Sequence, residues 1–347
     1  MASHRRPKQP TRARVTTLTA LAAAAVALAS QNAQAAPAKP SKDEVKSKVD
    51  GLYDQAEKAT EKFNGAREQQ RKLEKEIGQL QDKVARGQAE LNEMRDQMGS
   101  MASAQYRNGG VDSSIQLLLS DNPDEYLAKA SVLDQLSAKQ VESVHKIQEK
   151  QRALAQERQE AAGKLKDLAD TRKELGEKKA EIQAKLAEAQ KLLNSLTAEE
   201  RQRLNDDDNT RASRGGGGGG RGGSLDPNVK GSGHAGEALA YAKTKLGSAY
   251  ISGYEGPNAF DCSGLTQWAY KQAGVGISRT TYTQVNDGTR IGRSQLQPGD
   301  LVFFYSDLHH VGLYAGNNTV LHASNPRGGV KYENMDYMPF QFGVRVA

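Results

Sequence analysis

Two long apolar seams constrain what this chain can fold into. From Val45 to Met101 the seam positions advance by alternating steps of four and three residues, through Val49, Leu52, Ala56, Phe63, Leu73, Ile77, Leu91 and Met98. Gln70 and Gly87 interrupt the seam. A stripe of this period is buried only when another helix lies along it, so about eight heptads in one register signal a coiled coil. A second run from Leu133 through Leu154, Leu168, Ile182 and Leu196 keeps the period more loosely, with Gln140, Arg158 and Arg172 on the seam. Between the runs, Asn108-Gly109-Gly110 and Asp121-Asn122-Pro123 end helices and turn the chain back. The expected architecture is an antiparallel helical hairpin over 41–205, an arm of roughly 90 Å. Met94, Met98 and Met101 then belong to its core and not to a cofactor box. The apolar tip, Ile115, Leu117, Leu118 and Leu119, exceeds what a turn needs and reads as a small cap or as a docking surface.

The formal charge of +6 invites a nucleic-acid partner, but its placement argues against one. Arg5, Arg6, Lys8, Arg12 and Arg14 precede an alanine-rich run from Val15 to Ala29, and the first acidic residue is Asp43. This is the pattern of a secretory signal peptide over 1–35, with Ala33-Gln34-Ala35 as the cleavage site. An uncleaved anchor is the alternative. Without those cations the basic and acidic residues nearly balance, and no polybasic surface is left for nucleic acid. An exported chain with one cysteine has no internal disulfide, so the Cys262 thiol is either buried or kept for chemistry. Past Asn205, Asp206-Asp207-Asp208 closes the helical pattern and a run of glycines follows. The segment 206–233 is expected to be a flexible tether spanning about 30 Å. It lacks the lysine–serine pair and flanking strand of a phosphate loop.

In the last stretch, 234–347, Ala238, Leu239, Ala242 and Leu246 predict one helix. A second helix begins at or just before Cys262, with Leu265, Trp268 and Ala269 on its apolar face. A thiol at that place faces the positive end of the helix dipole, which favours the thiolate. Short strands are expected at 301–305, 310–314, 319–322 and 342–346, which makes an α+β domain. A cysteine nucleophile needs a base. His309 and His310 are adjacent on a strand and face opposite ways, so only one can meet the thiol; His310 shares its face with Gly312 and Tyr314. His322 follows the turn Gly316-Asn317-Asn318, and a hairpin there would bring it beside His310. His234, at the tether edge, is expected to be exposed. A zinc site built from Cys262, His310 and His322 is the rival arrangement, although the spacings match no compact metal motif.

Tyr250, Asp261-Cys262-Ser263-Gly264-Leu265, Trp268, Arg279-Thr280, Gln297-Pro298-Gly299-Asp300, His310-Val311-Gly312 and His322-Ala323 resemble, in order and spacing, the NlpC/P60 family of wall peptidases. The resemblance implies a papain-like α+β fold with Cys262 as nucleophile, His310 as base and His322 as the third polar member. It implies Tyr250 as an oxyanion donor together with the Cys262 backbone N–H, and neither metal nor cofactor. The reaction it implies is hydrolysis of the D-isoglutamyl–diamino acid bond in peptidoglycan stem peptides. Asp261, Ser263 and Arg279 are candidates to contact the charged stem, although Asp261 reads equally as a helix cap and Arg279 as a surface ion pair. One departure is Tyr250-Ile251-Ser252-Gly253-Tyr254, where the family commonly has tyrosine-x-tryptophan-glycine-glycine. An N-acetylmuramoyl-L-alanine-type amidase and a non-catalytic wall or division scaffold are the alternative functions.

The helical segment, through Tyr106-Arg107-Asn108-Gly109-Gly110, Leu117-Leu118-Leu119-Ser120 and Leu133-Asp134-Gln135-Leu136, is similar to the coiled coils of bacterial division-associated wall hydrolases. In that group the hairpin docks on a membrane complex that controls the enzyme. The likeness implies a secreted, wall-associated enzyme of wall remodelling or division, with the tip as the docking surface. The arm itself either lies across the Cys262 cleft as a restraint or acts as a spacer.

Overall fold

The computed structural model describes residues 41–107, 115, 122–213 and 233–346. The signal-peptide reading of 1–35, the tip residues Leu117, Leu118 and Leu119, and the glycine run lie outside the described residues. Ile115 is described and half exposed. No described helix is long and apolar enough to cross a membrane.

Helix α1 (Lys42–Arg107) has 66 residues and α2 (Pro123–Asn194) has 72, so each extends about 100 Å. The Asn122 side chain caps α2 by accepting from Asp124 N, with Pro123 in the first turn. The two helices pack antiparallel. Leu73 and Ile77 meet Leu168, and Lys164 pairs with Glu76 at 2.7 Å, Arg172 with Glu74 at 3.0 Å and Lys83 with Glu157 at 2.8 Å. Exposed pairs of this kind add little stability, because water and salt screen them, but they match in only one register. Gly87 breaks the seam because Leu154 fills its place; a Cβ there would stand 2.7 Å from Leu154 Cδ2.

The helical part runs further than the sequence pattern suggested. Asp206-Asp207-Asp208 does not end it: α3 (Ala198–Ser213) continues through them. Thr197 and Glu200 form a reciprocal cap at its start, with Thr197 N donating to Glu200 Oε2 at 2.8 Å and Glu200 N to Thr197 Oγ1 at 3.2 Å. Leu204 is fully buried against Val45, Val49, Leu52, Ala189 and Leu196. That anchorage outweighs the poor helix propensity of three aspartates. The 205/206 boundary therefore falls inside a helix.

The C-terminal domain opens with α4 (Gly233–Lys243), then β1 (Ala249–Tyr250) parallel to β2 (Ala259–Phe260), then α5 (Cys262–Gln272) and the short α6 (Thr281–Gln284). Strands β3 (Thr289–Ile291), β4 (Leu301–Phe304), β5 (His310–Gly316), β6 (Thr319–Ala323), β7 (Val330–Asn334) and β8 (Phe340–Arg345) form one antiparallel sheet. Their order is β3-β8-β4-β5-β6-β7. The expected strands are present, while β3 and β7 were not anticipated. The run Leu301-Val302-Phe303-Phe304 is buried on both faces: Leu301 and Phe303 meet the α4–α5 layer, and Val302 and Phe304 meet Val320 and Met335. Every residue of the main core comes from this domain.

Candidate active site

The thiol's position follows from a cap. Asp261 is extended and its Oδ1 accepts from Gly264 N at 2.7 Å, so α5 begins at Cys262 as expected. Its other oxygen accepts from Gly253 N at 2.9 Å and from Arg279 Nη2 at 2.6 Å. Arg279 is not on the surface: it is 3% exposed, and reaches Glu255 at 3.1 Å and Ser263 Oγ at 2.8 Å. Asp261 and Arg279 thus fix the turn from which Cys262 projects, and Ser263 stands beside them.

His310 opens β5 and His322 lies on β6, across the hairpin closed by Asn317 and Asn318, both at positive φ. The two rings meet edge to face, with His310 Nε2 2.6 Å from His322 Nδ1. Gly312 permits this approach, since a Cβ there would stand 2.4 Å from Val320 Cγ2 and 2.9 Å from His322 Cβ. His309 turns away and stacks on Tyr305 with centroids 4.3 Å apart; only its carbonyl oxygen comes near the thiol, 3.8 Å from Cys262 Sγ. His234 is exposed and bonds Ala273 O through Nδ1. Tyr250 is buried on β1, and burial, with the charges of Glu57 and Cys262, raises its hydroxyl well above the ordinary tyrosine value.

The cleft between Cys262 and His310 is filled by α1. Glu57 Oε1 accepts from His310 Nδ1 at 2.5 Å, the nitrogen not engaged by His322. Glu61 Oε2 accepts from Thr281 N at 2.7 Å and Thr281 Oγ1 at 3.1 Å, while its Oε1 accepts from Ser263 Oγ at 2.7 Å and lies 3.8 Å from Cys262 Sγ. Asn64 Nδ2 donates to Asp261 Oδ2 at 3.0 Å. The same helix pairs Asp54 with His309 at 2.8 Å, Lys58 with Asp307 at 3.1 Å and Arg327 with Asp50 at 3.2 Å. Arg67 donates to Gly253 O at 3.0 Å. Cys262 is completely buried.

Electrostatics oppose the reactive state of both partners. Burial pushes the Cys262 thiol well up, and the charges of Glu57, Glu61 and Asp261 push it further. Burial alone would lower His310, but the Glu57 carboxylate outweighs it and raises the imidazole above its ordinary value. Glu61 rises to about 7, through burial and then the nearby Asp261 charge. The closed cleft therefore favours the proton on the thiol and on His310 alike, the opposite of what attack requires.

The Cys262, His310 and His322 donors do not converge on one point, because the two rings are hydrogen-bonded to each other. Among the described residues, the group placed to share a cation is Glu57, Cys262 and His310, with donor atoms within 4.8 Å of one another. Glu57, Glu61 and Glu333, which stands 3.1 Å from His322 Nε2, escaped the sequence reading. The available signal was the spacing Glu57, Thr60, Glu61, Asn64, a polar stripe on one helix face.

The sequence pattern of the NlpC/P60 family matches residues 247–344. A probable endopeptidase of Corynebacterium glutamicum is 53% identical over 104 residues, 30% of this chain and 50% of that protein. The probable endopeptidase p60 of Listeria monocytogenes is 46% identical over 99 residues, 28% of this chain and 20% of that protein. The chain spans half or less of the length of these curated relatives. The crystal structure of the NlpC/p60 domain of peptidoglycan hydrolase SagA is 33% identical, covering 32% of this chain and 98% of that one, with a TM-score of 0.31. The C-terminal domain of this chain is accordingly a member of the NlpC/P60 family, joined to a helical hairpin that lies outside the match.

Proposed function

We propose that the chain is a secreted, wall-associated cysteine endopeptidase that hydrolyses peptidoglycan stem peptides at the D-isoglutamyl–diamino acid bond, and that α1 keeps it latent. The observation that carries the reading is the Cys262 thiol on a helix N-terminus, across a cleft from a His310–His322 pair at 2.6 Å. The relatives named as probable endopeptidases support the reaction class.

With the cleft open, His310 Nδ1 takes the thiol proton and the Cys262 sulfur attacks the amide carbonyl. The backbone N–H of Cys262 and the Tyr250 hydroxyl are the donors available to the oxyanion. His310 then returns its proton to the leaving amine, leaving a thioester. Water attacks the thioester with His310 again as base, which frees the carboxylate and restores the thiol. His322 holds the ring of His310 throughout. Ser263, Arg279 and Asp261 border the side of the cleft now occupied by Glu61 and Asn64, where an anionic stem would lie.

The closed arrangement supports restraint over a passive spacer. Glu57 occupies the base and Glu61 the nucleophile's neighbours, so substrate and α1 compete for one volume. A partner that grips the far end of the hairpin and prefers the open state would release the enzyme. The test is incubation of three proteins with soluble muropeptides, followed by mass spectrometry. They are the full chain, the full chain carrying Glu57→Lys and Glu61→Lys, and the domain 231–347, whose core is its own. Stem cleavage by the second and third, lost with Cys262→Ala, is the expected result. Release of an intact stem from the sugar identifies the amidase instead, and no cleavage by any of them identifies a scaffold.

A further inference from the structure

The reactive pair has a proton-placement problem that the three residues Cys262, His310 and His322 do not solve by themselves. Two neutral imidazoles joined by one hydrogen bond have two arrangements of nearly equal energy. In one, His310 Nε2–H donates to His322 Nδ1, and His310 Nδ1 is a bare base facing the thiol. In the other, His322 Nδ1–H donates to His310 Nε2, and His310 Nδ1 carries a proton and cannot accept one. Only the first supports attack, and the choice falls to whatever the remaining nitrogen, His322 Nε2, meets.

It meets Glu333. Strands β6 and β7 pair with His322 opposite Lys331, so Glu333, two residues along β7, lies on the same face. Glu333 Oε2 stands 3.1 Å from His322 Nε2 and 3.3 Å from Lys331 Nζ. Both members of the contact are largely withdrawn from water, His322 at 1% and Glu333 at 14% side-chain exposure. Burial first, and then the neighbouring His310, lowers His322 to about 4, so its ring is neutral and has a tautomer to choose. Burial alone would raise the Glu333 carboxyl, but His322 and Lys331 outweigh it and hold it at about 2. A carboxylate accepts and cannot donate.

We infer that Glu333 is a positioning residue: standing 3.1 Å from the unpartnered His322 Nε2, it accepts that N–H once the ring turns into line, which fixes the tautomer of His322 and through it the bare Nδ1 of His310 that takes the proton of Cys262. Lys331, held on the other side of the same oxygen, keeps the carboxylate ionised and aimed at the ring. The inference rests on the reading of Cys262 and His310 as the reactive pair, and its test needs no substrate.

The experiment uses the full chain carrying Glu57→Lys and Glu61→Lys, so that neither carboxylate of α1 holds a proton on His310. With nitrogen-15 histidine, and His322→Asn to assign the ring, spectra at mildly alkaline pH report which nitrogens are protonated. Expected are a proton on His322 Nε2 with bare Nδ1, and a proton on His310 Nε2 with bare Nδ1. Adding Glu333→Gln removes the charge at constant size; the His322 tautomer then becomes mixed or reversed. Alkylation of Cys262 by iodoacetamide slows with it, by about 10- to 100-fold. A His322 that carries its proton on Nδ1 while Glu333 is present overturns the inference without any appeal to a variant that fails to fold. So does an unchanged tautomer and alkylation rate in Glu333→Gln. A chain that shows the expected tautomer yet cleaves no muropeptide overturns the proposed reaction and leaves this inference standing.

Discussion

Glu61→Lys in the full chain is the sharpest probe of the latch. In a site closed to water the carboxylate accepts from Thr281 N, Thr281 Oγ1, Ser263 Oγ and Asn64 Nδ2, with the Cys262 thiol a longer fifth donor. An ammonium there would face the same donors, with Arg279 bonded to the same Ser263 oxygen. Leaving a buried charge without its partners costs about 3–5 kcal/mol. Part of this is offset, because Glu61 is itself uneasy there, with a pKa raised to about 7 by burial and Asp261. Taking the low end, the closed-to-open ratio falls by about 10²-fold, at 1.4 kcal/mol per factor of ten. Lysine and glutamate have nearly equal helix propensity, so α1 itself survives the change. The assay compares wild type and variant at equal concentration, by fragment release from a soluble muropeptide and by the rate at which iodoacetamide blocks Cys262. Both rates should rise together. Equal rates in two chains with the same circular dichroism and melting curve would refute the restraint and leave the arm as a spacer.

The latch should also loosen as pH rises. Glu61 is raised in the closed state from 4.5 to about 7, and it faces Asp261, Arg279 and Cys262 as well as Thr281 and Ser263. The closed state therefore keeps that proton's stabilisation below 4.5 and loses it as pH climbs through about 7; His310, raised by Glu57, has the same sign. Wild-type activity should accordingly climb more steeply with pH than that of the Glu57→Lys/Glu61→Lys chain, and parallel profiles would contradict this. In the opened chain, His310→Ala should abolish turnover, while His322→Ala lowers kcat by about 10- to 1000-fold, because orientation is worth less than the base. Equal losses would point to a shared metal. Gly312→Ala forces a methyl to 2.4 Å from Val320 Cγ2 and should cost about 1–3 kcal/mol, seen as a lowered Tm of the full chain.

Features set by local chemistry were legible in the sequence. The period of the seam named the hairpin, since a stripe of Leu73, Ile77 and Leu168 has no other way to leave water. Strand alternation separated His310 from His309, and the Gly316-Asn317-Asn318 turn placed His322 beside it. Features set by long-range docking were not legible. Glu57 and Glu61, four apart on a coiled-coil flank, look like any solvated pair, and only a domain two hundred residues away buries them. Strand β7, Val330–Asn334, is short and half polar, so neither it nor Glu333 gave a strand signal. The helix through Asp206–Asp208 is held by Leu204 packing on Val45 and Val49, which local propensity does not record.

The fit of α1 over Cys262 also bears on how the sulfur survives. Outside a cell, a thiolate is exposed to oxidants that convert it to sulfenic acid and beyond, and to exchange with any disulfide it meets. Both reactions require the ionised sulfur and access to it. In the closed chain Cys262 has neither, being wholly covered and kept protonated by burial and by Glu57 and Glu61. On the proposed reading, the helix that restrains the enzyme is thus also a chemical preservative, and the opened enzyme should have a working life limited by the oxidant around it.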